Sequence, residues 1–390
     1  MAISKGPQAF PRPEFLRRLA AVKSEMKRRE IDALVVSDTY NITYLTGYTA
    51  NSGYVPQALV VSLHEEEPTF ILRRQDAPAA IHQTFMDRDK IIGYPEALIG
   101  NPTMDGYDKV IDFLNEIGAA NRGIGLELRG LSAQAAEKFR ARLPKAKIVD
   151  CTNVVTWIRI VKSDLEIAVM REAAAISDAA IMRAADVIRP GVREADVIAE
   201  IMGALARGAN GKPGTTRFPN VSLCSSPRTG TPHISWSEDV FRQGSQINLE
   251  LGGVRHGYCA GIMRTFSIGA PSERLRRVHE AEMEGLEAAL DVIRPGSTCS
   301  DVANAFNRTI EKHGLKKDSR CGYAHGIGWL EPTASLQDGD RTELKPNMTF
   351  HLMLGNWIDE DFGYVLSETF RVTDSGVEVL TKAPRKLFEL

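Results

Sequence analysis

No apolar run in this sequence approaches the ~20 residues that a membrane-spanning helix needs, so no helical membrane span is expected. The N-terminus, MAISKGPQAFPRPEF, lacks the apolar core of a signal peptide, which argues against export and for a cytoplasmic protein. An excess of charge is missing too. Lys and Arg number 48 against 50 Asp and Glu, a formal net charge of −2, so the chain carries no electrostatic footprint for nucleic acid or an anionic membrane surface. Cysteine is scarce, and its five copies (Cys151, Cys224, Cys259, Cys299 and Cys321) are scattered and odd in number. With no CxxC spacing they form neither a disulfide framework nor a zinc cluster, and they fit buried, reduced thiols.

What is present belongs to an ordinary globular protein. The 390 residues, 43% hydrophobic and 25% charged, suffice for two or three domains with ample core. Residues 1–14 read as a short flexible leader held off by Pro11 and Pro13. From 15 to 155 helical and strand patterns alternate. FLRRLAAVKSEMKRREI is amphipathic at helical spacing, DALVVSD, ALVVSL, TFILRR, GIGLEL and KIVD read as strands, and YDKVIDFLNEIGAA and SAQAAEKFRARL as helices. Such alternation predicts an α/β domain with a largely parallel sheet. CTNVVTWIRIVKSDLEI is a junction, and the second domain runs over 156–390.

That second domain carries an internal echo. DVIRPG occurs at 186–191 and again at 291–296. Each copy halts an Ala/Glu-rich helix with a Pro/Gly stop, and each precedes another helix and then a β-rich stretch. Two αα-ββ halves, facing each other across a shared sheet with a cleft between them, account for the pattern. Two glycine patterns drop out. GIGLELRG at 123–130 has no phosphate-binding helix after it, so it is no dinucleotide fingerprint, and GTTRFPN at 214–220 has nothing of a P-loop.

The order of segments is helix–RPG–helix, PHISWSEDVFRQGSQINLELGG, GYCAGIMRTFSIG, YAHGIGWLEP, ELKPNMTF and VLSETFRVTDSG. It resembles the pita-bread fold of creatinase, prolidase, aminopeptidase P and methionine aminopeptidase over about 155–385. DALVVSDTYNITYLTGYTAN resembles the N-terminal domain of the creatinase/prolidase group. The fold class implied is an α/β N-terminal domain plus an α+β pita-bread catalytic domain of pseudo-duplicated halves. The metallopeptidases of this superfamily bind two metal ions through two Asp, one His and two Glu. Carried over, the two Asp fall on Glu250 and Gly261, the His on His325, and the two Glu on Met353 and Glu368. Gly has no side chain and a thioether suits a hard divalent ion poorly, so a bridging pair of metals is not expected, and no cofactor is. His233 stands at the catalytic histidine of creatinase, the branch that works without metal, whereas the creatinase carboxylate before Arg264-Thr265 is Met263 here and its substrate-gripping arginine falls near Val55.

Within the superfamily the whole-chain resemblance is to the ectoine hydrolases, which open a cyclic amidine that bears a carboxylate. It rests on Glu250 followed by Gly-Gly, on GYCAGIMRT and on HGIGWLEP. In that light Glu250 is the expected nucleophile at the amidine carbon, or the residue that steadies an attacking water. His233 relays the proton, Glu368 pins the ring nitrogens, and His325 orients the tetrahedral intermediate. Tyr54 and Trp329 are candidate pocket walls, and Arg73 with Arg74 a candidate grip for the substrate carboxylate. His351 matches no family ligand and reads as a hydrogen-bonded core histidine. Arg264 reads as half of a structural salt bridge below the site. The resemblance also implies a homodimer, with the Tyr54 loop reaching toward the partner. Two other functions stay open at this point: an Xaa-Pro dipeptidase-like enzyme with a reduced metal site, and a catalytically inactive pita-bread protein that binds a partner.

Overall fold

The computed structural model describes residues 3–50, 52–215 and 220–390; of the GTTRFPN segment, residues 216–219 lie outside the described residues. The chain divides into two units, Met1–Arg159 and Ile160–Leu390. In the described residues no helix is long and apolar enough to cross a membrane.

The first unit runs α1 (Arg12–Arg28), β1 (Ala33–Val36), α2 (Thr39–Thr46), β2 (Ala58–Ser62), β3 (Thr69–Arg73), α3 (Ala77–Gln83), β4 (Ile91–Tyr94), α4 (Gly106–Glu116), β5 (Gly123–Leu126), α5 (Ala133–Arg142), β6 (Lys147–Asp150) and α6 (Val154–Arg159). Its sheet has the order β4-β3-β2-β1-β5-β6. Only β2 runs against both of its neighbours; the pairs β3–β4, β1–β5 and β5–β6 are parallel. The sheet is largely parallel, as anticipated, and its exception is local: the six residues between β2 and β3 are too few for a helical crossover, so these strands form a hairpin. Residues 3–14 are no free leader either. Helix α1 starts at Arg12 with proline in its first turn, where the missing N–H costs nothing. Ahead of it, the Gly6 N–H donates to His82 O (2.8 Å) and Lys5 Nζ donates to Thr84 O (2.8 Å).

The second unit begins with α7 (Asp164–Val187), α8 (Glu194–Arg207), β7 (Asn220–Ser225), β8 (Gln246–Arg255) and β9 (Tyr258–Ser267). A matching set follows: α9 (Glu273–Asp291), α10 (Cys299–Glu311), β10 (Gly322–Ala324), β11 (Thr349–Met353), the hairpin β12 (Asn356–Asp359) and β13 (Phe362–Tyr364), then β14 (Ser367–Val372), β15 (Val377–Val379) and β16 (Phe388–Glu389). The two DVIRPG copies do the same job. Gly191 N–H donates to Phe241 O and Phe241 N–H returns to Val192 O; Gly296 N–H donates to Leu344 O and Leu344 N–H returns to Ser297 O. Both glycines have positive φ, +82° and +88°, a conformation in which a Cβ is strained.

Each half has its own apolar core. Ile181, Ile198, Ile201, Leu223, Leu249, Leu251 and Ile262 close α7 and α8 onto one sheet. Leu286, Val302, Phe306, Phe350, Leu352 and Phe370 close α9 and α10 onto the other. The shared sheet anticipated from the repeat is instead two four-stranded sheets, β16-β9-β8-β7 and β10-β11-β14-β15. They meet where Thr369 Oγ1 donates to Gly261 O (2.8 Å) and Thr265 Oγ1 donates to Val365 O (3.0 Å). Helix α7 presses on the first sheet at Gly253, whose N–H donates to Ser177 Oγ (2.7 Å) and where a Cβ would sit 2.4 Å from Ala173 O.

Candidate active site

Period-two alternation decides what the first sheet shows to its open side. In register across β7, β8 and β9, Ser222 opposes Glu250 and Glu250 opposes Met263. The leucines at 223, 249 and 251 point the other way, into the helical core. A cleft opens over this face, and Ser222, Cys224, His233, Glu250, Met263 and Trp357 are among the residues that line it.

Glu250 has no hydrogen-bond or ion-pair partner among the described residues, and burial alone pushes its carboxyl up to about 7. An unpaired acid poised near neutrality in a cleft is a candidate functional group. Among the described residues, His233 is the basic group of the cleft. It is exposed, its ring makes no hydrogen bond among the described residues, and its backbone holds φ +60°. Cys224 sits beside them as a neutral thiol, pushed by burial to about 11. All five cysteines are buried and free.

Residues 18–161 match the Creatinase/Prolidase N-terminal domain, and residues 168–374 match Metallopeptidase family M24. The chain belongs to metallopeptidase family M24. Over 388 residues, 99% of each chain, it is 72% identical to the uncharacterized hydrolase/peptidase y4tL of Sinorhizobium fredii. It is 36% identical to the ectoine hydrolase of Halomonas elongata over 392 residues, covering 97% of this chain and 98% of that one. Among solved structures, the dipeptidase PepE of Mycobacterium ulcerans superposes with a TM-score of 0.81 at 24% identity, over 97% of this chain and 98% of that one. A prolidase of Thermococcus sibiricus superposes with 0.83 at 21% identity, over 96% and 99%. These two likenesses concern the fold.

M24 implies metal, and the residues at the family's ligand positions do not fit it. Among the described residues, Glu250 is the one carboxylate that lines the cleft. Gly261 offers nothing, and the space its side chain would need is taken: a Cβ there would lie 2.9 Å from Cε1 and Nδ1 of His351. His351 is fully buried, its Nε2 shares a 2.7 Å hydrogen bond with Ser367 Oγ, and its Nδ1 has no partner. Burial, and then the neighbouring His325, hold its pKa well below the ordinary histidine value. His325 has no nitrogen to spare. Its Nδ1–H donates to Trp329 O (2.6 Å), its Nε2 accepts the Gly261 N–H (3.0 Å), and burial lowers its pKa to about 4. No group of three His, Cys, Asp or Glu among the described residues is able to hold an ion.

Glu368, carried over as the last ligand, is turned away from the cleft. On β14 it pairs with Leu352, facing the helical core, whereas Ser367 pairs with Met353 and shares the face of His351. A one-residue slip reverses every side chain in a strand, so the ligand position in space is that of Ser367. Glu368 is instead a fully buried anchor. Arg264 Nη2 (2.7 Å), Arg385 Nε (3.0 Å) and the Thr381 hydroxyl all donate to it. It therefore cannot pin a substrate's ring nitrogens, and His325 cannot orient an intermediate. Trp329 lies against Gly252, where a Cβ would meet its ring at 2.6 Å, and does not line the cleft. In the first unit Arg73 is bound by Glu96 (2.7 Å) and by the Tyr54 hydroxyl, while Tyr54 is 72% exposed. Sequence reasoning passed over Ser222, Cys224 and Trp357. The alternation of Ser222 and Cys224 with Val221 and Leu223 was the available signal for the first two; Trp357 has none.

If His351 keeps position 261 empty, Gly261→Ala destabilises the fold by about 1–3 kcal/mol, as overpacking does. In a His351→Ala background most of that cost vanishes. A double-mutant cycle in urea unfolding measures the coupling; additive effects contradict it.

Proposed function

We propose that this chain hydrolyses a C–N bond in a small cyclic amidine bearing a carboxylate, with ectoine the specific candidate, and that it does so without a metal ion. The observation that carries the reading is Glu250, a lone carboxyl near neutral pKa that shares a cleft with His233 at a site where Gly261, Met353 and Ser367 supply no metal ligand. The 36% identity to a protein named ectoine hydrolase over nearly the whole chain supports the substrate class. An Xaa-Pro dipeptidase reading needs the metal donors that are missing. An inactive binding protein has no use for an unpaired, desolvated carboxyl.

An amidinium spreads its charge over two nitrogens and bonds a carboxylate through charge-assisted hydrogen bonds. As it docks, its positive charge draws Glu250 to the ionised form. Trp357, Met263 and Val365 wall the cleft with apolar surface, which strengthens that attraction. The Glu250 oxygen attacks the amidine carbon, His233 passes a proton to the departing ring nitrogen, and that C–N bond breaks. This leaves the amidine carbon joined to Glu250 as an acyl imidate, which a water then cleaves to free Glu250 and release the acetamide. In sum one water is consumed, one C–N bond is lost, and an acetamide and a free amine appear. Cys224 stays a thiol throughout and does not compete.

Incubation with ectoine is expected to yield acetylated diaminobutyrate, followed by mass spectrometry. No such product at any pH, with Xaa-Pro dipeptides cleaved instead, would return the protein to the peptidases. Because the ionised Glu250 is the reactive form, the acid limb of the kcat/KM profile rises with pH through about 7. Glu250→Gln lowers it by roughly 10³-fold or more, as loss of a nucleophile does; full activity in that variant sinks the covalent route. The same variant is more stable than the parent at pH 8. Burial raises the folded-state pKa above the unfolded one, so ionising Glu250 costs the native state increasingly as pH climbs from about 4.5 to about 7.

A further inference from the structure

We propose that Glu194 is the positioning residue that sets His233 in the cleft, an inference that rests on the reading of His233 as the proton carrier. Glu194 opens helix α8 and is fully buried, yet its carboxylate bonds nothing on its own helix. Every bond goes to the segment 225–237. Oε1 accepts from Ser225 Oγ (2.5 Å) and Arg228 Nη2 (2.7 Å); Oε2 accepts from Ser237 N (2.6 Å) and Ser237 Oγ (2.8 Å). Ser225 is the last residue of β7, and Ser237 is where the chain returns. Both ends of the His233 loop therefore hang from one carboxylate.

The loop is tied within as well. Thr231 donates its N–H (3.0 Å) and Oγ1 (2.6 Å) to Arg228 O, and Arg228 Nη2 also donates to Ser237 Oγ (2.9 Å). On its far side it packs on the β12–β13 hairpin. Thr229 Oγ1 donates to Asp361 O (3.1 Å), and a Cβ at Gly230 would stand 2.3 Å from Asp359 O. His233 itself has no such ties. Its ring has no hydrogen bond among the described residues, and its φ of +60° is one that non-glycine residues seldom adopt. Strained backbone of this kind persists only where the surroundings enforce it. The enforcing group is the Glu194–Arg228–Ser237 clamp. Burial opposes ionisation of Glu194, but the donors from Ser225, Ser237 and Arg228 outweigh it and keep its pKa below the ordinary value. The clamp is thus a charged one across the working pH range.

Glu194→Gln keeps the volume but puts an amide NH₂ where a donor now points at a carboxylate oxygen. We expect kcat on ectoine to fall roughly tenfold to a hundredfold, the cost of a misplaced catalytic group, with KM little changed because Glu250 is untouched. The deciding measurement is the cycle with His233→Ala. If Glu194 acts through His233, the double variant is no slower than His233→Ala alone. Should His233→Ala be slow while Glu194→Gln is fully active, or while the two losses multiply, the positioning role is overturned and the proton-carrier reading stands. Should His233→Ala keep full activity, both fall. Where Glu194→Gln fails to fold, Ser237→Ala releases the loop end of the same clamp. It is expected to give a severalfold loss that disappears in the His233→Ala background, and a loss that persists there overturns the proposal.

Discussion

The ring of His351 lies where a side chain at position 261 would have to be, and much of the site follows from that exclusion. Filling the space with a neutral imidazole removes one acidic ligand position. Ser367 removes another by bonding the ring's far nitrogen, and His325 spends both of its nitrogens on the backbone around it. The arrangement has a cost. His351 Nδ1 is buried without a partner, worth about 1–3 kcal/mol of lost hydration. What the arrangement leaves is a cleft with a single carboxyl in it, and a lone desolvated acid attracts a cation far more strongly than one surrounded by partners.

Around the cleft, charge is used as structure. Glu368 with Arg264 and Arg385 sits beneath the join of the two sheets, and Glu194 with Arg228 holds the loop above it. In both, the acid is wholly buried and saturated by donors, the condition under which a buried charge is tolerated. Glu250 differs from both, an acid with no partner among the described residues that lines the cleft. That contrast separates the anchors from the proposed reactive group more clearly than residue type does, since all three are glutamates.

Much of this was legible in the sequence. Helical periodicity with Pro/Gly stops gave the long helices, and the repeated DVIRPG exposed the duplication, because the same turn makes the same backbone bonds in each half. Glu250 and His233 were legible from their segments and share the cleft. Other features were not. The face that a strand residue takes depends on register, which is set by long-range pairing, so Glu368 and Ser367 were exchangeable on paper and opposite in space. His325 looked available because its partners are a backbone N–H and a carbonyl, which every sequence has. The reversal of β2 hinged on a short connection, and the clamp at Glu194 joins residues more than 30 positions apart with no motif to announce it.

The claim at the centre of this account is that protein groups occupy the place of the metals and that Glu250 does the work. It is tested most directly by counting metal ions and ectoine turnovers on the same enzyme sample, before and after exhaustive dialysis against a chelator. The account predicts undiminished hydrolysis with far less than one ion per chain. Activity that disappears with the metal, and returns in proportion to manganese or zinc restored, would contradict it.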